Sequence, residues 1–159
     1  MSASIPFAPN EIQRRLRRLQ AAQRRQRLDA VLVTTEINRF YFTGLAASNG
    51  MLLSERGAPP AFYTDFRYLT MARRMAPWLP THELWKPALE PEVVAGLGHG
   101  WRRVGYEGAM SAARFLKLQA ALPDVEWVDA TALIQSLRAI KSPEEQRRMR
   151  AAIAANDRL

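Results

Sequence analysis

Apolar and polar residues alternate along this chain in two different rhythms, and the rhythm switches repeatedly. Ile12, Leu16 and Leu19 recur at helical spacing between arginines, after Pro9-Asn10-Glu11-Ile12-Gln13, which reads as a helix start with Asn10 as cap and Gln13 reaching back to it. The run Leu28–Thr34 is short and continuously apolar, as a buried strand is. A loop or single turn is expected over Glu36 to Gly44. Strands follow at Met51–Ser54 and Ala61–Thr64, joined by a turn at Glu55-Arg56-Gly57-Ala58. Asp65 is placed to cap a helix through Phe66, Leu69, Ala72 and Met75 that stops before Pro77. Strands are further predicted at His82–Lys86, Arg103–Tyr106 and Val125–Val128. Helices are predicted at Pro91–Leu97, Ser111–Leu122, Thr131–Ile140 and from Pro143 to the end. Ser142-Pro143-Glu144-Glu145 is a capping box with proline in the first helical position. Strands alternating with helices predict an α/β class with a mixed sheet.

Composition narrows the function classes. The chain has 159 residues, enough for one domain with a sizeable core, and no cysteine, which excludes disulfides and thiolate metal sites. It shows neither the pattern of a signal peptide nor an apolar run of membrane-spanning length, which leads to the expectation of a cytoplasmic protein without a membrane partner. The net charge of +8 raises the question of nucleic acid, and its distribution bears on the answer. Seven arginines and one glutamate between Asn10 and Arg27 leave +6, residues 138–159 leave +3, and the remainder carries −1. The first helix could grip phosphates, but its arginines are spread around it and no aromatic residue stands among them to stack a base. A solvated face, or one that meets an acidic partner, fits better.

Candidate chemistry is sparse. His82 and His99 lie far apart without acidic partners at helical spacing, so no metal set converges. Gly96-Leu97-Gly98-His99-Gly100 follows a predicted helix and precedes a strand, the reverse of a dinucleotide loop. Ser48-Asn49-Gly50 is a turn, and no nucleophile elbow occurs. The segment Asn38-Arg39-Phe40-Tyr41-Phe42-Thr43-Gly44 stands apart, with three aromatics beside an asparagine and an arginine after a buried strand. Its aromatics can anchor the core, whereas Asn38 and Arg39 have no evident structural duty, and loops at strand carboxyl ends commonly carry function. The last helix bears an apolar stripe at Met149 and Ile153 and meets no glycine or proline stop before Leu159. That pattern leads to the expectation of a fragment, or a domain cut at a boundary. The segments then divide as a flexible terminus over 1–9, a domain over 10–140, and a linker with its first helix over 141–159.

Five segments in order resemble a known family. Asn38 to Gly44 resembles an "N-x-x-Y-[FL]-[TS]-G" signature ending on Gly44, and Asp65-Phe66-Arg67-Tyr68 with Ala72 is similar to a "D-x-R-Y-x-x-x-A" helix entry. Val104-Gly105-Tyr106-Glu107 with Met110-Ser111 is similar to "[IV]-G-x-E … [LM]-S", and Leu137-Arg138-Ala139-Ile140-Lys141-Ser142-Pro143-Glu144-Glu145 to "L-R-x-[IV]-K-[ST]-x-E-E". Arg17–Arg27 with Leu28–Thr34 resembles the opening helix and strand. The family is the creatinase, prolidase and aminopeptidase P group, and the resemblance is to its amino-terminal domain. It implies an α/β/α fold with a mixed six-stranded sheet of ribonuclease-H-like topology. Gly44, Asp65, Arg67, Tyr68, Glu107, Arg138, Lys141, Ser142 and Glu145 would be structural motif positions. It also implies a parent Xaa-Pro dipeptidase or aminopeptidase in which two divalent metal ions (Mn, Co or Zn) sit in a catalytic domain absent from this sequence. No catalytic or metal-binding residue is expected in this chain. Its implied role is subunit contact in a homodimer and shaping the mouth through which peptide substrate enters, with Asn38, Arg39, Tyr41 and Phe42 as the residues nearest to it. The competing expectations are the amino-terminal domain of a creatinase-like hydrolase and a free-standing protein- or RNA-binding module of the same fold.

Overall fold

The computed structural model describes residues 7–84 and 90–157. Its elements, in chain order, are α1 (Pro9–Arg25), β1 (Ala30–Val33), α2 (Glu36–Thr43), β2 (Met51–Glu55), β3 (Ala61–Thr64), α3 (Phe66–Met75) and β4 (Thr81–Glu83). They continue with α4 (Glu90–Leu97), β5 (Arg103–Tyr106), α5 (Ala112–Ala121), β6 (Glu126–Asp129), α6 (Thr131–Ala139) and α7 (Pro143–Asn156). The six strands form one mixed sheet in the order β4-β3-β2-β1-β5-β6. β2 runs antiparallel to both its neighbours, and the other pairings are parallel. Five strands therefore deliver their carboxyl ends to the same edge of the molecule.

Side-chain alternation on β1 divides the core in two. Val31 and Val33 point into a layer with Ile12, Leu16 and Leu19 of α1, Ala72 of α3, and Leu133, Ile134 and Leu137 of α6. Ala30 and Leu32 point the other way, toward Val94 of α4 and Leu118 of α5. This is the period-two logic of a strand buried on both faces, and it yields the expected three layers. Each of the three apolar α1 residues is nearly fully buried, a contribution of roughly 1.5–3 kcal/mol apiece.

Several boundaries differ from expectation. α1 begins at Pro9, with Ala8 in the cap position and no side-chain cap bond. Proline's fixed φ suits the first helical turn, so Asn10 and Gln13 lie inside the helix and form no box. Of the terminus expected to be flexible, residues 1–6 lie outside the described residues, while Phe7 packs on the core and Pro9 belongs to α1. Strand pairing claims only Ala30–Val33 of the Leu28–Thr34 run. β4 is Thr81–Glu83, and the Trp85 and Lys86 end of the strand expected there lies outside the described residues. The expected loop over Glu36 to Gly44 is instead a two-turn helix. Phe42 and Thr43 are fully buried on it, and Gly44, at φ 72°, closes it in the left-handed conformation that glycine adopts without penalty.

Candidate functional site at the carboxyl end of the sheet

The polar groups that sequence reading singled out gather where β1, β3 and β5 end. Glu107 follows β5 and is 2% exposed. Its carboxylate accepts from the main-chain N–H of Thr34 and of Thr35 (2.7 Å), from the hydroxyls of Thr34 (3.2 Å) and Thr35 (2.7 Å), and from Asn38 Nδ2. Asn38 is oriented in turn by Arg138, whose Nη1 donates to Asn38 Oδ1 at 2.7 Å. Elements distant in sequence, α2, β5 and α6, are thus tied by one chain of hydrogen bonds.

Arg39 and Tyr41 have duties that only the folded chain shows. Arg39, 4% exposed, turns inward and donates to the carbonyls of Gly50, Ala47 (3.0 Å) and Ser48 (3.3 Å), bracing the segment that leads into β2. Tyr41 donates to the Leu137 carbonyl at 3.0 Å. Burial, with the Glu145 carboxylate second, raises its phenol above the ordinary range. Phe42 is wholly inside the core. The four residues expected nearest a substrate mouth are thus brought together, but as the frame under that edge of the molecule. At the surface of the same edge stand Ile37, at 59% exposure, and Phe66, at 72%. A shallow cavity of about 350 Å³ opens beside the first, lined by Glu36, Ile37, Phe40 and Ala46.

Asp65 follows β3 and caps α3 as expected, its carboxylate accepting from the Arg67 main-chain N–H at 3.0 Å. The Arg67 guanidinium binds the same carboxylate at 3.0 and 2.7 Å, and Asn49 Nδ2 adds a bond at 2.8 Å. These donors, Arg67 first, hold the Asp65 carboxyl down at about 2. Tyr68 meets the Ser48 hydroxyl at 2.7 Å, so α3 and the 45–50 segment are joined twice.

Sequence reading missed Arg15. Grouped there with the solvated arginines of α1, it is 1% exposed. Its guanidinium lies between the rings of Phe7 (4.0 Å) and Tyr41 (4.3 Å), donates to Glu11 Oε1 (3.1 Å) and to the Tyr41 carbonyl (2.8 Å), and faces Glu145 of α7 at 3.6 Å. A usable signal was present. Position 15 falls on the Ile12-Leu16-Leu19 face with an acid four residues before it, the spacing of a helical ion pair. At the base of α7 the predicted box is formed, with Glu145 N–H donating to Ser142 Oγ (3.1 Å) and Ser142 N–H to Glu145 Oε2 (2.9 Å). Lys141 Nζ donates to the carbonyls of Arg138 (2.9 Å) and Ala139 (3.2 Å). Beyond that base α7 buries no residue, and Met149 and Ile153 are 50% and 58% exposed. Among the described residues no three His, Asp or Glu side chains gather as a metal-ligand set, so the described part of the chain does not fit the metal pair of the resembled family.

Residues 15–140 match the model of the creatinase/prolidase N-terminal domain. The chain belongs to this family. The fold agrees with solved relatives. One is the N-terminal domain of the cytoplasmic peptidase PepQ from Mycobacterium tuberculosis H37Rv, 29% identical at a TM-score of 0.70 over 78% of this chain and 98% of that one. Another is the aminopeptidase P (Xaa-Pro aminopeptidase) from Streptococcus thermophilus, 26% identical at a TM-score of 0.70 over 80% and 98%. The uncharacterized peptidase YqhT of Bacillus subtilis (strain 168) is 29% identical over 119 residues, which are 74% of this chain and 33% of that protein. The creatinase-like domain therefore spans about a third of the curated relative that it matches. None of its described helices is long and apolar enough to cross a membrane.

Proposed function

We propose that this creatinase-like domain is the non-catalytic amino-terminal part of a cytoplasmic Xaa-Pro dipeptidase or aminopeptidase. One observation carries the reading: residues 15–140 match an amino-terminal domain family, while a curated peptidase relative is about three times the length matched. The chemistry would then belong to a carboxy-terminal domain, which would hold two divalent metal ions, Mn, Co or Zn, as the Lewis acids for hydrolysis before proline. Within such an enzyme the domain supports the homodimer and shapes the mouth of the active site. The carboxyl edge of the sheet is the side assigned to that mouth. There Ile37 and Phe66 supply contact, and Asn38, Arg39, Tyr41 and Phe42 hold the surface in shape. α7, fixed at its base by Arg15 and the capping box, offers Met149 and Ile153 to the catalytic domain.

The test uses the product of the whole reading frame, loaded with Mn²⁺ and given Xaa-Pro di- and tripeptides. Hydrolysis before proline is expected from that product and none from residues 1–159 alone. Phe66→Ala should raise KM at unchanged metal content, because a mouth contact binds ground and transition states alike. Met149→Glu with Ile153→Glu should lower the yield of folded enzyme. A reading frame that supplies no metal-ligand set after α7 overturns the proposal and favours a free-standing binding module.

A further inference from the structure

The order of strands turns about β1. The chain leaves β1 for β2 on one side and, after β4, crosses to β5 on the other. Open α/β sheets hold ligands at such a point, in the crevice outside the strand carboxyl ends. In this domain the crevice is a cup made by Thr34 and Thr35 after β1, the first turn of α2, and the chain just after β5. Two main-chain N–H groups, two hydroxyls and one side-chain amide converge in it. The start of α2 adds partial positive charge of its own. The amide of Asn38 is not free to turn, because Arg138 holds its oxygen.

What occupies the cup is a carboxylate, and it belongs to the chain. Glu107 places both oxygens among the five donors: Oε2 takes both amides and the Thr34 hydroxyl, and Oε1 takes the Thr35 hydroxyl and Asn38. The side chain reaches this position directly from the end of β5 and is shielded from solvent. Donors of this kind, aimed at one point and poor in acceptors, select an anion with two oxygens over a neutral group.

We propose that this cup is a carboxylate-binding site that the domain fills with its own Glu107, as an internal ligand in place of a diffusible one. The inference is independent of the peptidase reading, since it concerns the isolated chain alone. It has a structural consequence: the occupant joins β1, β5 and α2 and, through Asn38 and Arg138, reaches the end of α6. A second carboxylate cannot enter while Glu107 is seated, because entry would displace a buried charge from its donors. Emptying the cup should therefore create a site for a small carboxylate.

Glu107→Ala removes the atoms of one acetate ion. Thermal unfolding of residues 1–159 and of this variant would be compared in sodium acetate and in sodium chloride at equal ionic strength. In chloride the variant should melt roughly 10 °C below the wild type, as expected when buried donors lose a charged partner. Acetate should restore part of that loss in a saturable way, and should leave the wild type as chloride does. A variant that is unfolded in chloride and folds in acetate gives the same result in stronger form. Glu107→Gln keeps the shape, fills the cup and lacks the charge, so it should be destabilised and blind to acetate. Equal behaviour of Glu107→Ala in the two salts, folded or unfolded, overturns the proposal. So does a Glu107→Gln variant as stable as the wild type.

Discussion

Arg39 is where two accounts of the α2 segment part. As a mouth residue it would act on substrate and leave the domain's stability alone; as a brace it would act on stability first. The structure allows the second effect to be sized. Arg39→Ala takes charged donors from the carbonyls of Gly50, Ala47 and Ser48. Hydrogen bonds to charged groups contribute about 1.5–3 kcal/mol each. Three on one guanidinium do not add, because the carbonyls relax together and Ser48 lies near enough to the surface to recruit water. A total near 4 kcal/mol is reasonable, the range of large single-site losses. That is a quarter or more of a typical domain's stability of roughly 5–15 kcal/mol. For a chain of this length it corresponds to a Tm lower by roughly 10 °C. Arg39→Lys should recover less than half, since one ammonium cannot span three carbonyls as the planar fork does. Urea unfolding followed by far-ultraviolet circular dichroism gives the loss, and an unchanged m-value would show that the denatured state is not its source. Hydrogen exchange over residues 45–50 locates it. A Tm within about 2 °C of wild type for Arg39→Ala, with unchanged exchange in that segment, would refute the brace.

Three other perturbations follow from the same geometry. The Asp65 carboxyl titrates near 2, against an ordinary 3.8, so its stabilisation is complete above about pH 4 and is lost as pH falls through 2; in acid titrations Asp65→Asn should flatten the stability profile in that window, and an identical profile would contradict the cause assigned. Ser142→Ala removes one side of the box at α7 and should cost about 1 kcal/mol, seen as faster limited proteolysis near Lys141; unchanged cleavage there would mean that the box does not hold the junction. Gly50 has φ 140°, and a Cβ built there would stand 2.6 Å from the Tyr63 carbonyl oxygen, so Gly50→Ala should cost roughly 3 kcal/mol through strain and displacement of β3; a urea midpoint close to wild type would show that the β2–β3 pair yields easily.

Much of the architecture was legible because it is locally encoded. β3 and β5 fall on Ala61–Thr64 and Arg103–Tyr106 as their apolar runs predict, and the Asp65 cap and the Ser142–Glu145 box form as read. α2 was not legible. Eight residues give no more than two turns of periodicity, and three aromatics with an arginine and an asparagine suit a helix no better than a loop. The duties of Asn38 and Arg39 were hidden for another reason: their partners are Glu107 and Arg138 in one case and the carbonyls of residues 47–50 in the other. A polar residue without a local partner can be functional or can be answering a buried backbone group elsewhere in the fold, and one sequence does not distinguish the two. Arg15 illustrates the opposite error. It was hidden by abundance, one arginine among seven on or beside the first helix, although its face and its pairing with Glu11 set it apart.

The arrangement of charge at the carboxyl edge bears on what the domain can contribute. Three acids at that edge have their donors inside the chain: Glu107 after β5 among Thr34, Thr35 and Asn38, Asp65 after β3 on Arg67 and Asn49, and Asp129 at the end of β6 on the Thr131 main-chain N–H. Arg39 and Arg138 are likewise spent on internal oxygens. These groups thus hold the frame, and moving the buried Glu107 or Arg39 would leave buried partners unpaired at a cost of about 1–3 kcal/mol. The same edge also leaves Ile37 and Phe66 exposed, beside their charged chain neighbours Glu36 and Arg67. An apolar rim on a rigid polar frame can cover a surface and keep water from it at roughly 25 cal/mol per Å² buried, and its contact energy is the same before and during a reaction. In the role proposed above, a domain built this way would influence which partner or substrate is held, and through its α7 where that partner sits, with the bond-breaking groups supplied from the other side of the contact.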